Sequence, residues 1–298
     1  MNVRTVPALI PRPDLLGHPR LRRASPITQY AAFAGSEAVA ADRAEIASGG
    51  IRLGMILAVT CGCVTYSRRF YDETVKDPSK ASPLLFPETV FNAPASHVAT
   101  LLGSKSPCYT LMGDQGTFLV ALSLGANWIR AGRVDACLVL GAEEMDWLVG
   151  YAVNLFDREV LASEGAGALY LKSAEGPGGG QPELKVITDP YPFKKAQGRE
   201  IAAQKLRRAL SPAPGSLLCD GLQNARRTDR AEAKAWGDWA GPRSSPKREL
   251  GEGLSAAAAW QCIVAADAVA SGGHSASCVS IVGCNQQAIG AIFGRYEP

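Results

Sequence analysis

The apolar positions of this chain fall into short runs of two spacings, and the clearest sequence of them lies between Pro107 and Glu144. Cys108 to Leu111 reads as a short strand, followed by the turn Gly113-Asp114-Gln115-Gly116. Leu119, Leu122, Ala126 and Ile129 then recur at helical spacing, predicting a helix that reaches about Arg130. Gly132 ends it, and Asp135 to Gly141 is a second apolar strand. Strand, sharp turn, helix and strand make a βαβ unit, whose turn lifts residue 115 to the mouth of a buried helix.

The same reading extends along the chain. Residues 1–27 are basic and rich in proline (Pro7, Pro11, Pro13, Pro19), which predicts one short strand and then an extended arm. Ser25 to Ala47 has the pattern of a helix, with Ile27, Tyr30, Phe33 and Val39 on one face, and Arg52 to Thr60 that of a buried strand. Tyr66 to Leu85 is polar and basic, predicting irregular structure or a short helix, and Met145 to Phe156 is apolar and irregular. Ala174 to Pro182 is the clearest linker. Beyond it come a strand (Glu183 to Thr188), an amphipathic helix (Gln197 to Leu210), a strand (Ser216 to Cys219) and a short helix (Asp229 to Trp239). A very apolar helix (Ser255 to Ala270) and closing strands (Ala276 to Val282, Ile289 to Arg295) complete the chain. The pattern divides into an arm (1–27) and two βα-rich halves (28–175 and 176–298) that build one compact domain.

Composition narrows the partners. With 298 residues and 47% hydrophobic content the chain buries a large core. A net charge of +3 with 20% charged residues gives no case for nucleic acid. The basic residues Arg20, Arg22 and Arg23 read first as a solvated arm, and second as a contact for an acidic partner. The eight cysteines lack metal-ligand spacing, Cys61-Gly62-Cys63 being too tight, and read as free thiols of a reducing cytoplasm, with no metal and no cofactor expected. No apolar run approaches the roughly 18 residues of a membrane span, and the N-terminus lacks the apolar region of a signal peptide.

The unit from Cys108 to Gly141 resembles the nucleophile elbow of the β-ketoacyl synthases of the thiolase superfamily. That family places a cysteine at the helix start, seventeen residues before the glycine that ends the helix, and counting back from Gly132 lands on Gln115. FDREVLASEGAGALYLKSA resembles the family's F-D-x-x-R-x-G-x-x-x-x-E-G-A-G segment, with Glu164, Gly165, Ala166 and Gly167 in place. FPETVFNAPASHVATLLG resembles the segment that precedes the nucleophile strand, and Gly283-Cys284-Asn285 the C-terminal G-x-N turn, whose asparagine is structural. The resemblance implies an α/β, thiolase-like fold of two pseudo-duplicated halves in an α-β-α-β-α layered arrangement, shortened by roughly a hundred residues within the usual range of large domains. It implies a structural role for Glu164 and Gly165 too.

It also implies a reaction, and that reaction's residues are replaced. A ketosynthase acylates its cysteine and decarboxylates malonyl carrier protein with two histidines that stabilise the enolate oxygen. The first histidine's place, in an H-G-T-G-T turn, matches Asp220, with the downstream D-x-x-E retained as Asp229 and Glu232. The second's place, five residues after a lysine, matches Glu252, and the lysine survives as Lys247. Gln115, Asp220 and Glu252 therefore stand where the family has Cys, His and His. His18, His97 and His274 lie elsewhere in the pattern, and Cys108 and Cys284 are nucleophiles only if the cleft is rebuilt. The substitutions resemble those of a chain-length factor, the inactive partner of an active β-ketoacyl-ACP synthase. That implies a heterodimer in type II fatty-acid, polyketide or aryl-polyene synthesis, with acyl carrier protein as a further partner. The alternatives are a malonyl-ACP decarboxylase or other acyltransferase with a rebuilt site, and a homodimeric acyl-binding scaffold.

Overall fold

The computed structural model describes residues 3–8, 13–174 and 181–296. In the first half these form β1 (Val3–Arg4), α1 (Pro26–Ala38), α2 (Arg43–Ser48), β2 (Leu53–Val59), α3 (Val64–Lys76), α4 (Ala93–Leu102), β3 (Cys108–Met112), α5 (Thr117–Arg130), β4 (Ala136–Glu143), α6 (Trp147–Phe156), β5 (Ala162–Ser163) and β6 (Gly165–Lys172). The second half forms β7 (Pro182–Ile187), β8 (Tyr191–Pro192), α7 (Ala196–Leu210), β9 (Leu217–Cys219), α8 (Arg226–Ala235), β10 (Arg243–Ser244), α9 (Pro246–Leu250), α10 (Ser255–Ala270), β11 (Ala276–Val282) and β12 (Gln287–Arg295).

Two sheets carry the fold. In the first, the order is β3-β2-β4-β6, with β2 parallel to both neighbours and β6 antiparallel to β4. In the second it is β10-β9-β11-β12-β7, with β10, β9 and β11 parallel and β12 antiparallel to β11. Order and sense over the first four strands are the same in both, so the topology contains the duplication that the two halves' residues do not display. Every residue of β2 and β4 is buried, which is why these strands read as unbroken apolar runs rather than alternations. The βαβ unit of the elbow exists, but β2 lies between its two strands.

Helices α5 and α10 occupy equivalent places, each following an elbow and lying between the sheets, while α1 and α4 cover one outer face and α7 and α8 the other. This is the α-β-α-β-α arrangement of a thiolase-like fold. The central layer joins Phe118, Leu119 and Leu122 of α5 to Ala258, Ala259, Cys262 and Ala265 of α10 and to both sheets. A helix buried over most of its surface shows no polar face, and α10 is such a helix, with only Asp267 and Ala270 exposed. Its alanines permit close approach: a Cβ on Gly141 of β4 would lie 2.4 Å from the Ser255 carbonyl.

Four segments differ from the sequence-based expectation. Met145 to Phe156 is not irregular, because Asp146 caps α6 by accepting the N–H groups of Leu148 and Val149 at 2.8 and 3.2 Å. Tyr66 to Leu85 contains most of the 13-residue α3, supported by Arg68–Asp72 and Arg69–Glu73 pairs one turn apart. The Ser25 to Ala47 helix is split by a 3-10 turn at Ala40–Asp42, and α8 starts three residues before Asp229 and ends before Trp236. The arm is not extended: Asp14–Gly17 and Pro19–Leu21 are 3-10 turns, and Leu21 is fully buried. The core of the linker, residues 175–180, lies outside the described residues, as does Pro11. No helix among the described residues is long and apolar enough to cross a membrane.

Candidate functional site

The elbow between β3 and α5 is attached to the other half of the molecule. Gln115 is buried, and its amide oxygen accepts the N–H of Cys284 at 3.1 Å. Beside it, the buried Asp114 accepts the N–H groups of Gly116 (3.2 Å), Gln286 (3.1 Å) and Gln287 (3.2 Å). The Asp114 N–H donates to the Gln286 side chain at 3.2 Å. Burial raises the Asp114 carboxyl above its usual range, against the opposing pull of these donors. Gly283 admits this contact, since a Cβ there would lie 1.9 Å from the Asp114 Oδ2. The sequence pattern assigns Asp114 no role beyond the elbow turn; an acidic residue in an otherwise apolar, buried turn was the signal for it.

Asp220 and Glu252, the other two positions singled out in the sequence, sit beside the equivalent elbow of the second half. Asp220 is fully buried, accepts the Ser245 hydroxyl (2.6 Å) and the Leu222 N–H (3.1 Å), and lies 3.1 Å from the Arg243 guanidinium. Burial pushes its carboxyl up, while Ser245, Leu222 and Arg243 pull it down. Glu252 accepts the Lys247 ammonium at 2.8 Å and the Gln223 amide at 3.2 Å, and through its other oxygen the Leu254 N–H at 2.9 Å, just before α10 begins. Glu232 is buried behind them, accepting the Gly221 N–H (3.1 Å) and the Ser280 hydroxyl, and burial, with Asp220 adding, pushes it up to about 8. Asp229 accepts the N–H groups of Gln223 (3.0 Å) and Ala225 (3.2 Å). Asp220, Glu232, Lys247 and Glu252 are thus one network around the turn from residue 220 to 223.

Cys284 connects this network to Gln115. Its N–H reaches Gln115, and its thiol lies within electrostatic range of Asp114, Glu252 and Lys247. Burial, reinforced by Asp114 and Glu252, pushes that thiol up to about 11. Cys61 is pushed up to about 12 by burial and then by Glu143. Neither thiol carries appreciable thiolate at neutral pH, the form a nucleophile needs. Cys108 lies exposed on β3, the edge strand of its sheet.

Glutamates at the end of β4 and the start of β6 hold the surrounding loops, and the first two were not foreseen. Glu143 is fully buried and accepts the N–H groups of Thr60, Cys61 and Gly62, burial raising it to about 7. Glu144 accepts the N–H groups of Ile27 (3.0 Å) and Thr65 (2.7 Å). Two acids ending an apolar strand were the signal. Glu164 is half-buried and ties three segments together through the Val6 N–H, the Tyr30 hydroxyl and the Met145 N–H. Gly165 has φ +147°, and a Cβ there would lie 3.0 Å from the Trp260 ring. Asn285, the expected structural residue of its turn, is exposed and makes no side-chain hydrogen bond among the described residues; Asp114 organises that turn instead. His97 pairs with Glu88 at 2.8 Å, away from this network. Among the described residues no group of three or more His, Cys, Asp or Glu is arranged to hold a metal ion.

Comparison with known proteins agrees with this fold. β-Ketoacyl-acyl-carrier-protein synthase III from Rhodospirillum centenum is 33% identical over 95 residues, 31% of this chain and 28% of that protein. The matching stretch therefore spans under a third of the curated relative's length. Among solved structures, the ishigamide ketosynthase/chain length factor superposes with a TM-score of 0.75 at 20% identity, covering 98% of this chain and 87% of that one. A ketosynthase in complex with its type II polyketide acyl-carrier protein gives 0.69 at 15% identity, covering 90% and 84%. The family model for the β-ketoacyl synthase N-terminal domain matches residues 15–176, more than half of the chain. This chain belongs to the β-ketoacyl synthase family.

Proposed function

We propose that this protein is a noncatalytic ketosynthase-like subunit, of the chain-length-factor kind, that pairs with an active β-ketoacyl synthase. One observation carries the reading: all three positions that hold Cys, His and His in the active enzymes are tied into the framework as structural groups. Gln115 accepts a backbone N–H, Asp220 is held by Ser245, Leu222 and Arg243, and Glu252 by Lys247, Gln223 and Leu254. An amide cannot be acylated as a thiolate can, and ionised carboxylates accept hydrogen bonds where a developing enolate needs donors. The raised thiols of Cys61 and Cys284 argue against a relocated nucleophile.

The surface supports a partner. β3 is an edge strand with Tyr109 and Met112 about half exposed, and an unpaired edge is a template for another chain. Helix α6 presents Trp147, Tyr151 and Leu155 to solvent. Among the solved neighbours is one titled as a ketosynthase with its chain length factor. All eight cysteines are free, which suits a reducing cytoplasm.

Co-expression with a ketosynthase encoded beside this chain tests the reading, with light scattering of the tagged eluate. The expected result is a one-to-one heterodimer that elongates only when both chains are present. A stable homodimer that ignores the ketosynthase would overturn it. Release of carbon dioxide from malonyl carrier protein by this chain alone would establish the decarboxylase alternative.

A further inference from the structure

The two sheets agree strand by strand until their last members. In the second, β12 is covered by a fifth strand: β7 pairs with it antiparallel, from Arg295↔Pro182 to Ala291↔Ile187. In the first, β6 holds the place of β12, and no strand of the described residues pairs with its outer edge. The chain begins to cover that edge and then stops. β1 pairs parallel with β5, the Glu164 N–H donates to the Arg4 carbonyl at 3.1 Å, and Val6 lies beside Gly165. Pro7 follows, with no N–H to continue a ladder, and both Pro7 and Ala8 are exposed.

The open stretch begins after Ala166, whose carbonyl turns outward and accepts the Trp260 indole N–H at 3.0 Å. Alternate residues of a strand turn their backbone groups to the same edge, so Ala168, Tyr170 and Lys172 also face outward, while Leu169 and Leu171 face β4. Beyond the ladder to β4, Ala168, Tyr170 and Lys172 have no backbone partner among the described residues. The usual protections of an edge are missing here. Ala168 to Leu171 carries no proline and no charge, and the register of the eight-residue β6 with β4 runs without a bulge. The edge also has walls: α1 packs over Ala168 and Tyr170, and Leu169 and Leu171 lie on the opposite face, toward α10.

We propose that this edge receives an extended segment of a partner polypeptide, antiparallel to β6, with apolar side chains at the positions that face α10. β7 supplies the pattern, since it runs antiparallel to β12 and packs Leu184 and Ile187 into the same central layer. The length of the edge selects a single strand over a second copy of this chain. Ala168 to Lys172 spans about 17 Å. Two globular copies paired through so short a ladder bury far less than the roughly 1,200 Å² of a stable interface. A two-fold pairing about Tyr170 cannot lengthen it, because it sets Ala174 of the second copy against Ala166, whose carbonyl Trp260 already occupies. A single strand needs only the ladder and the two faces beside it. This edge lies at the opposite end of the sheet from β3, so the inference is independent of the pairing reading.

Amide hydrogen exchange, read by NMR on the full chain, tests this with a synthetic peptide of residues 182–188, the segment that covers the equivalent edge. Without peptide, the Ala168 and Tyr170 amides are expected to exchange fast and those of Leu169 and Leu171 slowly. Millimolar peptide should slow Ala168 and Tyr170 about tenfold and leave Leu169 and Leu171 unchanged. A peptide carrying Lys185→Pro/Val186→Pro should have no effect, because adjacent prolines remove a donor in either register. In the protein, Ala168→Pro deletes an N–H that β4 does not use, so the variant should fold and lose the protection at Tyr170. If it does not fold, the proline peptide still decides. Three results would overturn the proposal: slow exchange of Ala168 and Tyr170 in the dilute free chain, protection that grows with the chain's own concentration and assigns the edge to a second copy, or no protection by the native peptide.

Discussion

Lys247 and Glu252 form a buried ion pair that belongs to the framework. Both side chains are about 95% buried, and the ion pair between them is 2.8 Å long. Taking both charges out of water is costly, and their attraction with the extra bonds from Gln223 and Leu254 offsets that cost. Lys247→Met leaves the Glu252 charge buried without its partner and is expected to lower unfolding free energy by about 3–5 kcal/mol in urea titration. Lys247→Met/Glu252→Leu removes both charges and should recover much of that loss. A double variant no more stable than the single would mean that the lysine acts through packing alone. Lys247 and the place of Glu252 were legible from the five-residue spacing; their pairing was not, because spacing says nothing about which way two side chains turn.

At the scale of elements, the contact between the β3–α5 elbow and the turn at residues 283–287 joins the two halves. It depends on Gly283, where an added Cβ overlaps the Asp114 carboxylate at 1.9 Å. Gly283→Ala is expected to cost about 1–3 kcal/mol and to loosen the Gln115–Cys284 bond. Gly132→Ala is the informative comparison, because Gly132 has φ +64° with nothing near its Cβ, so only backbone strain of about 1 kcal/mol applies. Denaturant melts of the two variants separate steric overlap from backbone strain, and equal costs would remove the argument for the Asp114 contact. The elbow itself was legible because strand, turn and helix each carry their own period. The α6 helix was not, since a uniformly apolar run has no period and only the Asp146 cap marks its start.

For the whole molecule, the buried carboxyls set a pH dependence. Burial raises Glu143 from an ordinary glutamate value near 4.5 to about 7, and Glu232 to about 8. The folded state therefore holds protons that the unfolded chain releases between pH 4.5 and 8. Their contribution is complete below the unfolded value and is lost as pH rises through the folded ones. The melting temperature is expected to fall between about pH 4.5 and pH 8, and Glu143→Gln to flatten part of that slope, as measured by differential scanning calorimetry. A melting temperature that rises over this window would contradict the burial of both groups.

Sequence alone determined the elbow and the central helices, because each rests on local period and on residue type at a fixed spacing. Only the tertiary structure decided the rest. The duplication is a property of strand order, shared by two sheets whose residues have diverged, and so it has no trace in composition. The attachment of Asp114 to residues 283–287 spans about 170 positions of chain, a distance no periodicity crosses. The basic outer face exists because α7 and α8 lie side by side with Asp229 and Glu232 turned inward and Glu200 bridged to Arg230 and Lys234, which leaves at one surface a charge that the chain's near-neutral total averages away.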